Sequence, residues 1–466
     1  MTTIRRRTFA LGLLAPFAAT AQSEPPPPAA LKKFSEVSAS LYAWDLLDEG
    51  CDAILDTLAE TTGADSAYLV ALMHHEKRPL TDLYYPHDAR RKTYFPEDSR
   101  LYWHPHLDQY RDTKIKPLGS DREELKNNDW LQMLVESCRK RRWKTGAEVS
   151  HTVLDARRAA GECAFAVQRD IFGNRLGQLI CPNNPDARNY FIALFTDLVR
   201  NYDLDYVQTC LIPFTAGPLK ARPAPGGLAY QLGTGSLGPG SQPAERILQL
   251  ALGSCFCTHC AEEAKRQGLD FTALRKSMLP VAEMLAEAGP EAAHRLAVLR
   301  ASNTGATAML LRHPEFFDWL KFRAVSFTNL FRDVHAAATR IKPSIDIRLN
   351  AFIATEPELH GIDLASMKPY LGSVRSSDYS EQKGTLSALA QKREFLLSIR
   401  DAVGDEMPVI SAIGIRPKAT PETVRQGVVV SSECGADGLG LGHFDGASLH
   451  LLRAIKAGMS EADAVI

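Results

Sequence analysis

Three thiols, Cys255, Cys257 and Cys260, stand within six residues of one another. A Cys-x-Cys-x-x-Cys spacing is tight enough to wrap one ion, since thiolate–zinc bonds are about 2.3 Å long. One further ligand completes a tetrahedron. His259 is adjacent to Cys260 and would strain the loop, so the fourth ligand is expected from elsewhere in the chain, with Cys181 ahead of Cys210. Four thiolates leave no open position for water, and a zinc ion held that way is structural. Buried thiols or a disulfide are the plainer readings of cysteine, and three in six residues speaks against them.

Such a loop needs a frame. From Val37 onward, short β-branched or aromatic runs alternate with amphipathic stretches, the signature of a βα repeat. Strands are expected at Ser38–Trp44, Ala67–Met73, Thr145–Val149, Tyr206–Leu211, Ile345–Asn350, Ser373–Ser377, Pro408–Ile413 and Gly438–Gly442. Helices are expected at Cys51–Thr61, Asp129–Arg141, Asp186–Tyr202, Phe317–Ile341, Leu386–Val403 and Pro421–Cys434. Eight such units close into an α/β (β/α)8 TIM barrel. A doubly wound open sheet is the weaker alternative, because no Gly-x-Gly-x-x-Gly opens a helix after the first strand. Long insertions follow strand two (Glu76–Ser120) and strand four (213–316), the second carrying the cysteine loop. Both leave from strand C-termini, the face on which barrel enzymes build their sites.

The chain has 466 residues, 45% of them apolar, with 54 Lys+Arg against 55 Asp+Glu. That balance excludes a polybasic nucleic-acid surface as the organising feature. Arg5-Arg6-Arg7-Thr8-Phe9, an apolar run to Ala19 and Ala19-Thr20-Ala21 together read as an export signal over residues 1–21 of twin-arginine type. An apolar run this short does not span a bilayer, which takes about 20 residues, so no permanent membrane span is expected. Removing it takes three arginines and no acid, leaving a mildly acidic chain. A Pro-rich linker over residues 22–36 would then lead into a barrel over 37–466. The implied partner is the twin-arginine export machinery and the implied location periplasmic or secreted. A chain folded before export could load its thiols with metal first.

Two segments carry a resemblance. Ile180-Cys181-Pro182-Asn183-Asn184-Pro185-Asp186-Ala187-Arg188 and Cys255-Phe256-Cys257-Thr258-His259-Cys260 are similar, in that order, to the zinc-binding segments of glycoside hydrolase family 42, the bacterial β-galactosidases. Tyr94-Phe95-Pro96-Glu97-Asp98 with Ile115-Lys116-Pro117 resembles the related family 10-like secreted glycoside hydrolases. The resemblance implies a barrel, a structural zinc on Cys181, Cys255, Cys257 and Cys260, and a carbohydrate substrate. It also implies an acid/base after strand four and a nucleophile after strand seven. Here those strands read Asp205-Tyr206-Val207-Gln208-Thr209-Cys210-Leu211-Ile212 and Val409-Ile410-Ser411-Ala412-Ile413-Gly414-Ile415, with no acid at either end.

Any chemistry must therefore come from other strand ends. Glu148 and Asp378 follow strands three and six and form the first candidate carboxylate pair for acid–base work. His443 could shuttle a proton or hold a sugar hydroxyl. Asp45, His75, Glu76, Trp103, His151, Asn350, Glu381, Arg416 and Asp445 are the candidate substrate-binding groups. Each has a plainer reading as a helix cap or loop residue, and Asp378 in particular could cap the turn before Leu386. Tyr84-Tyr85, Tyr94-Phe95 and Tyr102-Trp103 could stack on a pyranose or form the small core of their excursion. A second metal site on His74-His75-Glu76 with His151 is disfavoured, because consecutive strand residues point to opposite faces. The leading expectation is an exported glycoside-hydrolase-like barrel acting on a glycan, with structural zinc and a non-standard carboxylate arrangement. A carbohydrate-binding barrel without catalysis and a metal-dependent lyase or hydrolase are the alternatives.

Overall fold

The computed structural model describes residues 34–72, 97, 99–150, 154–210, 214, 221–224, 227–230, 243–286, 290–302, 304–351, 356–416 and 418–464. Eight parallel strands close into a barrel: β1 (Glu36–Leu41), β2 (Ser66–Leu72), β3 (Lys144–Ser150), β4 (Tyr206–Cys210), β5 (Asp346–Ala351), β6 (Ser373–Ser376), β7 (Val409–Gly414) and β8 (Gly438–Gly442). They pair in chain order, and β8 closes on β1 with Glu36 opposite Gly438. The outer helices are α1 (Cys51–Thr62), α2 (Trp130–Arg141), α3 (Pro185–Asn201), α4 (Pro314–Ile341), α5 (Leu389–Val403), α6 (Pro421–Glu433) and α7 (Leu449–Ala464). Capping sets their starts: Asp129 Oδ1 accepts from Gln132 N for α2, Asn184 Oδ1 from Ala187 N for α3, and Thr420 Oγ1 from Thr423 N for α6.

Every expected strand is present. The largest boundary change is in β1, which ends at Leu41 rather than Trp44. Asp45 Oδ2 accepts from Tyr42 N at 2.8 Å and starts a short helix at Ala43 instead.

Strand alternation decides what fills the barrel. Val37, Ala39 and Leu41 of β1 join the apolar layer under the helices, while Glu36 reaches Arg348 across the barrel and Ser40 meets His443 at the end of the neighbouring β8. On β8 the alternate positions are all glycine, and each leaves room for a neighbour. A Cβ on Gly438 would lie 2.7 Å from Ile410 Cδ1, one on Gly440 2.4 Å from Arg375 Nε, and one on Gly442 2.5 Å from Tyr379 Cε1. Gly146 of β3 likewise yields its space to the Tyr206 ring.

Between β4 and β5 the chain builds further helices at Pro243–Gly253, Thr258–Arg266, Phe271–Ala286, Pro290–Ala301 and Ala306–Arg312. All of these but Pro290–Ala301 contribute described residues to a second hydrophobic core with the N-terminal part of α4, where Trp319 stacks on Phe256 (4.7 Å) and Phe322 (4.9 Å).

Candidate functional site

The barrel interior is polar from bottom to mouth. At the bottom Arg348 donates to Glu36 Oε1 at 2.7 Å, is joined by Asp346 (3.1 Å) and lies 3.9 Å over the Tyr206 ring. Burial pushes the Glu36 carboxyl up, but the charges of Arg348 and Lys144 outweigh it and leave it below the ordinary range.

Above this pair Arg375 is wholly buried. Its guanidinium donates to Asn350 Oδ1 (3.0 Å), Ser377 Oγ (2.9 Å), Tyr379 OH (3.1 Å) and Gly440 O (3.1 Å). Burial opposes its charge, and the oxygens of Tyr379, Tyr68 and Glu148 outweigh that opposition. Glu148 accepts from Gln208 Nε2 of the next strand. Glu148, Gln208, Asn350 and Arg375 thus bring four neighbouring strands, β3 to β6, onto one polar floor.

The mouth is finished by half-exposed groups. Ser377, Tyr379, Arg416 and His443 are all partly open to solvent. His443 sits at φ 21°, a sparsely populated backbone value for a residue with a side chain. Its Nδ1 is 3.0 Å from Ser40 Oγ, and its ring stacks 4.9 Å from Tyr42, which stacks in turn on Trp44. Beside it Asp445 faces Arg416 at 3.6 Å. Asp45 is buried nearby, and burial together with the Asp445 charge raises its carboxyl well above the ordinary range.

The expected residues therefore divide. Glu148, Asn350 and His443 belong to the floor and rim. Asp45, Arg416 and Asp445 form a carboxylate pair with an attendant cation on the β7–β8–β1 side. Asp378 goes elsewhere: Oδ1 accepts from Ser380 N (3.0 Å), Oδ2 from Gln391 Nε2 (2.9 Å), and Lys392 Nζ is 3.9 Å away. It caps a turn and anchors α5, and no described contact joins it to Glu148. Glu381 is also turned from the mouth, being fully buried at 3.0 Å from Lys392 and accepting from Gly414 N, with Gly427 making space for its carboxyl. Trp103 is a correction to the sugar-platform expectation, because its ring is buried and its Nε1–H donates to Asp197 at 3.1 Å. Asp197 also accepts from Tyr110 OH and His106 N, so this segment is clamped to α3. His74, His75, Glu76 and His151, with Tyr84, Tyr85, Tyr94 and Phe95, lie outside the described residues.

Sequence reading passed over Arg375, Tyr68, Gln208 and Tyr379. The signal for Arg375 was an arginine inside the apolar-to-small strand Ser373-Val374-Arg375-Ser376, a charge that a buried strand tolerates only with partners.

The four cysteines do converge. Cys181, Cys255, Cys257 and Cys260 have sulfurs all within 4.8 Å of one another, with Cys181 3.5 Å from Cys260 and 3.6 Å from Cys257. A tetrahedron with bonds of about 2.3 Å has ligand separations of roughly 3.8 Å, so this spacing fits one ion. Cys181 follows the hairpin strand Arg175–Ile180, Cys257 is the N-cap of Thr258–Arg266, and Cys260 lies in its first turn. Arg169 N and Asn183 Nδ2 donate to Cys255 Sγ (3.4 Å) and Cys260 Sγ (3.5 Å), outer contacts of the kind that would orient thiolates around an ion. Hydrogen bonds from the other three thiols drive Cys257 strongly toward thiolate. Arg323 is buried alongside: burial lowers it to about 9 against the favourable charges of Cys255 and Cys260. His259 instead faces Glu262 at 3.6 Å. The side chain of Cys210 lies outside the described ones.

Neither a family model nor a curated protein matches this sequence. Solved structures do match in shape. The glycoside hydrolase domain of PgaB (BpsB) from Bordetella bronchiseptica superposes with a TM-score of 0.50 at 12% identity, covering 92% of this chain and 97% of that one. A cold-adapted beta-galactosidase from Rahnella sp. (TM-score 0.51, 10% identity) and a catalytic mutant of a GH42 beta-galactosidase from G. stearothermophilus (0.51, 12%) each cover 93% of this chain. The chain spans 58% of the length of either galactosidase. At these identities the likeness is one of fold.

Proposed function

We propose that this protein is an exported glycoside-hydrolase-like barrel that acts on a glycan or glycoside at the mouth of the strands, with a structural zinc on Cys181, Cys255, Cys257 and Cys260. The observation that carries the reading is the floor of Glu148, Gln208, Asn350 and Arg375 beneath the half-exposed Ser377, Tyr379 and His443. Donors and acceptors of both kinds converge at the C-terminal ends of the strands, where a polyhydroxylated ligand is best served. The shared fold with proteins named as glycoside hydrolases supports it. Glu148 is the carboxylate assigned to proton transfer or attack, with His443 holding a sugar hydroxyl or relaying a proton. The twin-arginine leader supports passage through that export machinery to a periplasmic or secreted location.

A second reading, a carbohydrate-binding barrel without turnover, is favoured by the burial of Glu148, Asp45 and Asp445, each 5% exposed or less. Two measurements separate them: hydrolysis of a panel of chromogenic glycosides, and calorimetric binding of oligosaccharides. In the hydrolytic reading Glu148→Gln removes turnover by about 10²-fold or more while oligosaccharide binding persists. Binding without turnover in the parent selects the second reading, and the absence of both sinks the carbohydrate assignment.

A further inference from the structure

The helices inserted between β4 and β5 form an open pocket of about 530 Å³, apart from both the barrel mouth and the cysteine cluster. Its floor is apolar, made by Leu248, Val281, Met284 and Met309. Its rim is basic, with Arg295, Arg312, His294 and His313, and no carboxylate is among its lining residues. Arg295 bends over the opening, its Nη1 3.8 Å from Met284 Sδ, while ion-pairing with Glu291 at 2.8 Å. His313 is similarly tied to Glu315 at 3.3 Å. Among the described residues Arg312 has no acidic partner, and Val298 on the lining helix stands 51% exposed.

We infer that this pocket binds a single-chain amphiphilic anion, its aliphatic tail on the methionine floor and its carboxylate at Arg312. The volume lies within the range of small-molecule sites, about 300–1,000 Å³. Unbranched methionine side chains adapt to a flexible chain, which a rigid aromatic floor would not. A free guanidinium above such a floor offers a carboxylate two parallel hydrogen bonds. A neutral sugar would waste both features. Charge complementarity thus sets the occupant apart from the barrel's ligand, and the inference stands whether or not the barrel hydrolyses glycosides.

The test is titration of the full-length protein with dodecanoate, followed by calorimetry. Saturable 1:1 binding is expected, weakened about tenfold by Arg312→Gln and largely kept by Arg312→Lys. Arg312 is exposed, so neither change threatens the fold. A Val281→Glu variant, whose new charge meets the tail, should abolish uptake. The inference is overturned if dodecanoate fails to saturate, if Arg312→Gln binds like the parent, or if dodecyltrimethylammonium binds equally well. Capture by phosphatidylglycerol vesicles without uptake of dodecanoate would make the face a membrane contact and overturn it too.

Discussion

The barrel and the helices inserted after β4 solve the same problem, buried polar groups, in opposite ways. In the barrel, buried charges among the described residues find partners from other strands or helices: Glu36 meets Arg348, Glu381 meets Lys392, and Arg375 is ringed by oxygens. The second core gathers four sulfurs and a buried Arg323 whose ring contact is Phe214, 4.8 Å away. With a divalent ion the four thiolates would carry two negative charges, and Arg323 is the cation beside them. His360, lowered to about 4 by burial and by Arg323, stays neutral there. One region pairs its charges within the strands and helices; the other gathers four thiols at a spacing that could hold an ion.

The contrast is broken most decisively at the cysteines. Purified protein should carry about one equivalent of zinc, and Cys255→Ser should lose it together with hydrogen-exchange protection of residues 243–286. Structural zinc contributes on the order of 10 kcal/mol in small domains, while the barrel should keep its own cooperative transition. Less than half an equivalent of zinc in the parent, with all four thiols titratable, would remove the ion from the account.

Next in size, Glu36→Gln should destabilise the barrel by about 3 kcal/mol in denaturant titration, because it leaves buried Arg348 with Asp346 as its one described carboxylate partner. Adding Arg348→Met should recover much of that loss. The Glu36 carboxyl is depressed in the fold, so its contribution is complete above the ordinary carboxylate range. It disappears as pH falls through the lowered value.

The smallest effect is expected at Asp45, whose carboxyl is raised. As pH climbs from the ordinary carboxylate range towards the raised value, the folded chain keeps a proton that the unfolded chain has released, so stability falls. Asp45→Asn should flatten that slope and still cap the helix at Ala43. An unchanged slope would show that Asp45 does not hold a proton in the fold.

The fold was legible because strands and helices announce themselves by period and length. All eight strands lie within a few residues of expectation, and where β1 stops short, a local hydrogen bond from Tyr42 N to Asp45 outcompeted a strand-like run of aromatics. The cysteine cluster was legible because three of its four thiols fall within six residues of sequence. The mouth was harder to read. A polar residue after a strand can cap, as Asp378 does, pair inward, as Glu381 does, or face the site, as His443 does, and only side-chain partners decide. Arg375 and Gln208 escaped notice because they sit within strands, whose interior face here is polar rather than packed with branched aliphatics.

The glycines of β8 bear on how the barrel forms. Pairing of β8 with β1 joins residues about 400 positions apart, with Ser38 Oγ held to Leu439 O across a separation of 401. Loop closure of that length comes late in folding, since its entropy must be met before any contact rewards it. Alternate glycines make the arriving strand floppy and give it few side chains with which to find its register. Its alignment then falls to backbone pairing with β7 and β1, together with the guanidinium of Arg375 that donates to Gly440 O. The last strand docks into a mould cast by the others, and the slowest step in making this molecule is expected at that seam.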